Sequence, residues 1–186
     1  MNEFSEVLDF WFGAADSPER GRPRKAWFKK SDAFDAEVRV RFFPLWERGA
    51  RGELERWSAT PLASLALVVV LDQFPRNMFR GEARAFSSDS RALAAATHLV
   101  DRGFERVLSQ VERTFVCLPF EHAEDLAVQR RSLELFRVLD PDSLDWARRH
   151  HQIIERFGRF PHRNAALGRE STPEEIEFLK QPGSSF

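Results

Sequence analysis

The chain carries apolar residues in stripes three and four apart, separated by short polar or proline- and glycine-bearing breaks. Val7, Leu8, Trp11 and Phe12 cluster on one face of a helix predicted over Phe4 to Phe12, which Gly13 stops. Ser17 to Pro23 then reads as a loop. A second helix starts near Ser31, a plausible cap, with Phe34, Val38, Phe42 and Leu45 on one stripe; Pro44 interrupts or kinks it, and Gly49 and Gly52 end it. Thr60-Pro61 marks a third start, with a capping hydroxyl ahead of a first-position proline. From Leu65 to Leu71 that helix is apolar on every side, which predicts a central, fully buried rod ending before Pro75.

Ser88 or Asp89 caps the next helix, which presents Leu93, Ala96 and Leu99 and ends at Gly103. Pro119 is read as a first-turn proline of a helix reaching about Leu139, and Asp140-Pro141 as a turn. Ser143 starts a further helix to about Phe160, with Trp146, His150, Ile153 and Phe157 on its inner stripe. Thr172-Pro173-Glu174-Glu175 is a capping box opening a last short helix. Strand signals are scarce. The pattern predicts an all-α fold of seven or eight helices, arranged as antiparallel hairpins in one domain around a buried central helix.

Polar residues on apolar faces are what change this picture. On a helix phased from Pro119, His122 and Gln129 fall in the stripe of Leu126, Leu133 and Phe136, with Asp125 at its border. His150 lies inside the stripe of the following long helix. The central helix ends in Asp72-Gln73, a carboxylate at the end where the macrodipole disfavours it, and Arg76 and Arg80 are within reach to pair with it. Phe74-Pro75-Arg76-Asn77 after that helix is similar to Phe160-Pro161-His162-Arg163-Asn164 after the last long one; if the two ends meet, they line one cavity with Arg, Asn and His.

His122, Asp125 and His150 are accordingly the candidate catalytic residues. Asp72, Gln73, Arg76, Asn77, Arg80, Glu121, Gln129, Arg159, His162, Arg163 and Asn164 are candidate ligand contacts. A histidine oriented by Glu121 or Asp125 is a general base, and the arginines suit a carboxylate or phosphate. A purely structural network of the same residues is the competing reading, with the protein serving as an interaction scaffold for a protein partner.

Composition narrows the field further. Acids and bases nearly cancel, at a net charge of -1, which argues against a nucleic-acid partner. Of 28 basic residues 24 are arginine, a bias that arginine-rich coding explains as readily as anion binding. The only cysteine, Cys117, sits in an apolar run and reads as a small buried hydrophobe in a reducing, cytoplasmic setting. The longest apolar run, Leu62 to Leu71, is about half a membrane span. There is no Gly-x-Ser-x-Gly, no phosphate-binding loop and no paired Glu-x-x-His for a di-iron site, so no cofactor or metal is expected.

The strings Leu71-Asp72-Gln73-Phe74-Pro75-Arg76-Asn77-Met78-Phe79-Arg80-Gly81, Leu118-Pro119-Phe120-Glu121-His122-Ala123-Glu124-Asp125-Leu126 and Arg156-Phe157-Gly158-Arg159-Phe160-Pro161-His162-Arg163-Asn164-Ala165 resemble the signatures of a bacterial family known as domain of unknown function 924. So does the tail Leu167 to Glu175. The resemblance implies a helical fold of the tetratricopeptide-like kind and carries no activity with it.

Overall fold

Among the described residues, helices with the turns and loops between them make up the architecture. The computed structural model describes residues 2–27 and 29–185, and among them no strand occurs. The helices are α1 (Glu3–Phe12), α2 (Asp32–Ala50), α3 (Pro61–Val68), α4 (Phe74–Met78), α5 (Asp89–Asp101), α6 (Gln110–Glu121), α7 (Leu126–Arg137), α8 (Pro141–Phe157) and α9 (Pro173–Leu179). A π-helical turn over Val69–Gln73 fuses α3 to α4, so eight rods result. Consecutive rods pack on one another at α5–α6, α6–α7 and α7–α8, while α3 packs against α1, α5 and α6.

The central rod is buried as its composition requires. Leu65, Ala66, Val68, Val69 and Val70 have no exposed surface. Trp11, Phe12, Phe42 and Phe115 share its core, and Phe42 stacks on Phe74 of the rod itself at 4.7 Å between ring centroids. With 18 Phe and no Tyr, this aromatic wall brings almost no hydroxyls that need partners.

Pro75 does not end the rod, contrary to the expectation from sequence; the helix continues to Met78. Proline removes one donor, and the carbonyl an unbroken helix would pair with it is that of Leu71. Ser88 Oγ donates to Leu71 O at 2.6 Å instead. The π turn just ahead shifts the helical phase by its extra residue and absorbs the ring. Pro44 also sits inside α2; it and Val40, whose carbonyl loses a donor there, both face solvent.

The segment around Pro119 departs further from expectation. The helix there begins at Gln110, behind a capping box in which Ser109 and Glu112 exchange hydrogen bonds, and Pro119 lies near its C-terminus. The chain turns at His122, and a new helix starts at Leu126 with the Asp125 carboxylate accepting from Val128 N at 2.9 Å. Asp140-Pro141 is likewise a cap followed by a first-position proline, not a separate turn. α8 closes at Phe157, where Gly158 takes φ +69°, a left-handed conformation suited to glycine. On α8, Ile153 and His150 are buried, but Trp146 is 49 % exposed and not a core residue. Leu126 and Leu133 are only partly buried, packed at the edges of small clusters.

Candidate functional site

The extra residue of the π turn leaves Asp72 fully buried where α3, α5, α6 and the turn Pro161–Arg163 converge. A buried carboxylate is costly unless surrounded by donors, and Asp72 has three. His122 Nδ1 lies 2.8 Å from Oδ1, Gln73 Nε2 donates to Oδ2 at 2.6 Å, and Arg76 Nη1 stands 3.3 Å from Oδ1. Burial alone would raise the Asp72 carboxyl, but Arg76 and His122 outweigh it and hold the group well below the usual carboxylate range. Burial, reinforced by Arg76, pushes His122 down against the opposing pull of Asp72. At neutral pH the neutral imidazole therefore donates Nδ1–H to Asp72 and leaves Nε2 as an acceptor. Nε2 has no hydrogen-bond partner among the described residues, and the side chain keeps 16 % of its surface open.

Two arginines meet beside this pair. Arg76 forms a fork onto Asp89, with Nη1–Oδ1 at 2.9 Å and Nη2–Oδ2 at 3.1 Å, and Arg163 Nη1 reaches the same carboxylate at 3.2 Å. The two similar strings, one forming α4 and one following α8, thus do converge, on Asp89. Arg163 also donates through Nη2 to His122 O at 3.0 Å, a cation at the C-terminal end of α6. Its guanidinium is held between Phe86 and Phe160, each 4.6 Å away, and its buried Nε–H has no partner among the described residues. Burial and the neighbouring Arg76 lower Arg163 to about 10, still cationic at neutral pH.

A second carboxylate–imidazole pair adjoins the first. His150 Nδ1 lies 2.7 Å from Glu121 Oε1, both side chains are buried, and the His150 and His122 rings are 6.3 Å apart. His162 packs on Phe160 in the same region, and burial with the adjacent Arg163 lowers it to about 3. Among the described residues no group of three or more His, Cys, Asp or Glu is arranged to hold a metal ion. Burial pushes the Cys117 thiol up to about 12, which removes it as a nucleophile.

The remaining residues singled out from sequence go elsewhere. Asp125 is an exposed helix cap, and the helix that was to align it with His122 is broken between them. Gln129 is buried and donates to Glu121 O and Ala123 O at 2.6 and 2.8 Å, satisfying carbonyls at the end of α6. Asn77 and Arg80 both bind Asp35 of α2. Arg159 and Asn164 bind Glu175, the glutamate of the α9 capping box.

Three participants escaped sequence reasoning. Asp89, at the start of α5, looks like an ordinary cap, yet it bridges Arg76 and Arg163. Glu124 receives Phe160 N and both Nη atoms of Arg169. Phe86 is one flank of Arg163. Two surface clefts, of about 320 Å³ at Arg137 to Arg148 and about 260 Å³ between Leu93 and Arg131, contain none of the Asp72 cluster.

Fold and site together define a class: an all-α protein organised around a buried carboxylate–imidazole–guanidinium cluster. The chain belongs to the bacterial protein family of unknown function DUF924, whose model matches residues 7–183. It is also similar to a solved protein of unknown function from Agrobacterium tumefaciens, at 42% identity and a TM-score of 0.87, over 95% of this chain and 96% of that one. No curated protein matches.

Proposed function

We propose that the Asp72–His122 pair, flanked by Arg76 and Arg163, is a binding site for a small anionic ligand, with His122 as its proton acceptor. The observation that carries this reading is the asymmetry of His122: Nδ1 is fixed on a buried carboxylate while Nε2 forms no hydrogen bond among the described residues. With Nδ1 held by Asp72, the accessible Nε2 is the nitrogen open to a ligand. The buried Nε–H of Arg163 is a second donor without a partner there, of the kind that receives an oxyanion. If the bound molecule is hydrolysed, His122 Nε2 takes the proton of the attacking water and Asp72 stabilises the imidazolium so formed. The single buried cysteine fits a reducing, cytoplasmic setting, and no helix among the described residues is long and apolar enough to cross a membrane.

The rival reading, a tetratricopeptide-like interaction scaffold with a structural polar interior, draws support from the satisfied contacts around Asp89, where both arginines already have a carboxylate. Thermal melts of the wild type and of His122→Gln, with and without a panel of phosphates and carboxylates, separate the two. The ligand reading expects at least one compound to raise the wild-type melting point and to lose that effect in the variant; saturation at 100 times Kd corresponds to about 2.7 kcal/mol. No shift of the wild type by any compound, together with marked destabilisation of the variant, would establish the scaffold.

A further inference from the structure

The charges around His122 point to a property of the ligand complex that goes beyond occupancy. Charged and titratable groups surround its ring from every neighbouring element: Asp72 from the π turn, Arg76 from α4, Glu121 from the end of its own helix, His150 from α8, and His162 and Arg163 from the turn after α8, with Asp89 and Glu124 one partner further out on the arginines. Arg76 and Arg163 are matched by Asp72 and Asp89. Arg169 is matched by Glu124, and Glu121 stands against His150. No arginine of the cluster is left without a carboxylate. An anion placed here as a bare charge would be desolvated with no surplus cation to offset it, at a cost that buried charges do not sustain.

We infer that the site binds an oxyanion together with one proton, and that the proton is carried by His122 Nε2. On binding, free imidazole, oxyanion and proton become an imidazolium–oxyanion pair: Nε2 gains the proton and donates it to one ligand oxygen, Nδ1–H stays on Asp72, and Arg163 Nε–H is positioned for another oxygen. A weak oxyacid delivers its own proton; the anion of a strong acid takes one from solvent. The end state is the same, so the ligand class is the singly bonded oxyanion of a carboxylic, phosphoric or sulfuric acid. The inference rests on the anion-binding reading above and adds the proton to it.

Sulfate tests this cleanly, because it does not titrate between pH 6 and 8 and any proton taken up belongs to the protein. Calorimetric titration of sulfate into the full chain, in buffers of differing ionisation enthalpy, is expected to show uptake of close to one proton at pH 8. Kd should weaken by up to tenfold for each unit of pH above the titration point of His122 in the free protein, and level off once its titration point in the complex is passed. Nitrogen-15 spectra of the histidine rings should show His122 as the neutral Nδ1–H form in the free protein at pH 7 and as imidazolium with sulfate. His122→Asn should abolish the proton uptake and flatten the pH dependence. Sulfate binding at a pH-independent Kd with no proton uptake would overturn this inference and leave the site itself standing. A His122 already doubly protonated in the free protein at pH 7 would also overturn it. No binding of sulfate at millimolar concentration, with no response to the wider panel, would remove both the inference and the reading it rests on.

Discussion

Two polar clusters built from the same residue types stand a short distance apart, one around Asp72 and one around Glu124 and Glu175, and they differ in how far their hydrogen bonds are used up. In the second, Arg169 forks onto Glu124 at 2.7 and 2.9 Å and also donates to Phe160 O and Asn164 Oδ1. Glu175 accepts from Arg159, Asn164 and the Thr172 N–H. Through Arg159, Asn164 and Arg169 these bonds tie the tail of the chain to the end of α8 and to the turn after α6. In the first cluster the carboxylate is just as well served, yet one nitrogen of His122 and one of Arg163 remain unused among the described residues. Buried arginine and carboxylate by themselves therefore mark neither a site nor a staple; the unused donors and acceptors separate the two.

The largest effect that would sharpen this contrast belongs to the staple. Arg169→Ala strips Glu124, Phe160 O and Asn164 of a partner at once, and chemical denaturation should show a loss of about 3 kcal/mol. A loss below about 0.5 kcal/mol would erase the distinction between the clusters.

Titration gives the next effect. His162 binds its proton only near pH 3 in the folded protein, against 6.5 for the free side chain. The unfolded chain therefore takes up a proton that the folded chain refuses, and stability falls as pH drops from 6.5 towards 3, by up to about 1.4 kcal/mol per unit. His122, lowered by burial and Arg76, acts with the same sign. Glu175, held near 2 mainly by Arg159, adds its own loss only below about 4.5. Urea unfolding of His162→Gln between pH 7 and 5 should have a shallower slope than the wild type; an identical slope would show that His162 is open to protonation.

Smaller still is the expected cost of His122→Gln, whose amide N–H can replace the donor to Asp72. We expect a change within about 1 kcal/mol, alongside loss of the ligand response. A cost of several kcal/mol would place His122 among the staples. The smallest effect is at Arg80, 39 % exposed on its bridge to Asp35. Arg80→Ala should change stability by less than about 1 kcal/mol, although sequence reasoning had grouped it with Arg76.

Most helix faces were legible along the chain, because amphipathic period is local; of the caps, Ser31 and Thr172 form as read, whereas Thr60 and Ser88 make no side-chain cap bond. The capping boxes at Ser109 and Thr172 both form, although the first lay unread behind Pro119. Phasing from that proline placed His122 and Asp125 on one helix face, whereas the chain breaks between them. Proline is tolerated inside a helix when another group serves the orphaned carbonyl, and whether such a group exists is not written within one turn of sequence. Ser88, seventeen residues on, does this for Leu71.

The sequence by itself determined that the protein is all-helical, that Leu65 to Leu71 is buried, and that Asp72, His122 and His150 sit on apolar faces. These follow from the period of hydrophobicity and from the cost of burying polar groups. Only the tertiary structure decided the pairings: Arg76 and Arg163 onto Asp89, Asn77 and Arg80 onto Asp35, Arg159 and Asn164 onto Glu175. A guanidinium reaches any carboxylate within its length, so its choice is set by how the helices pack and by the extra residue of the π turn, both of which depend on contacts far apart in the chain.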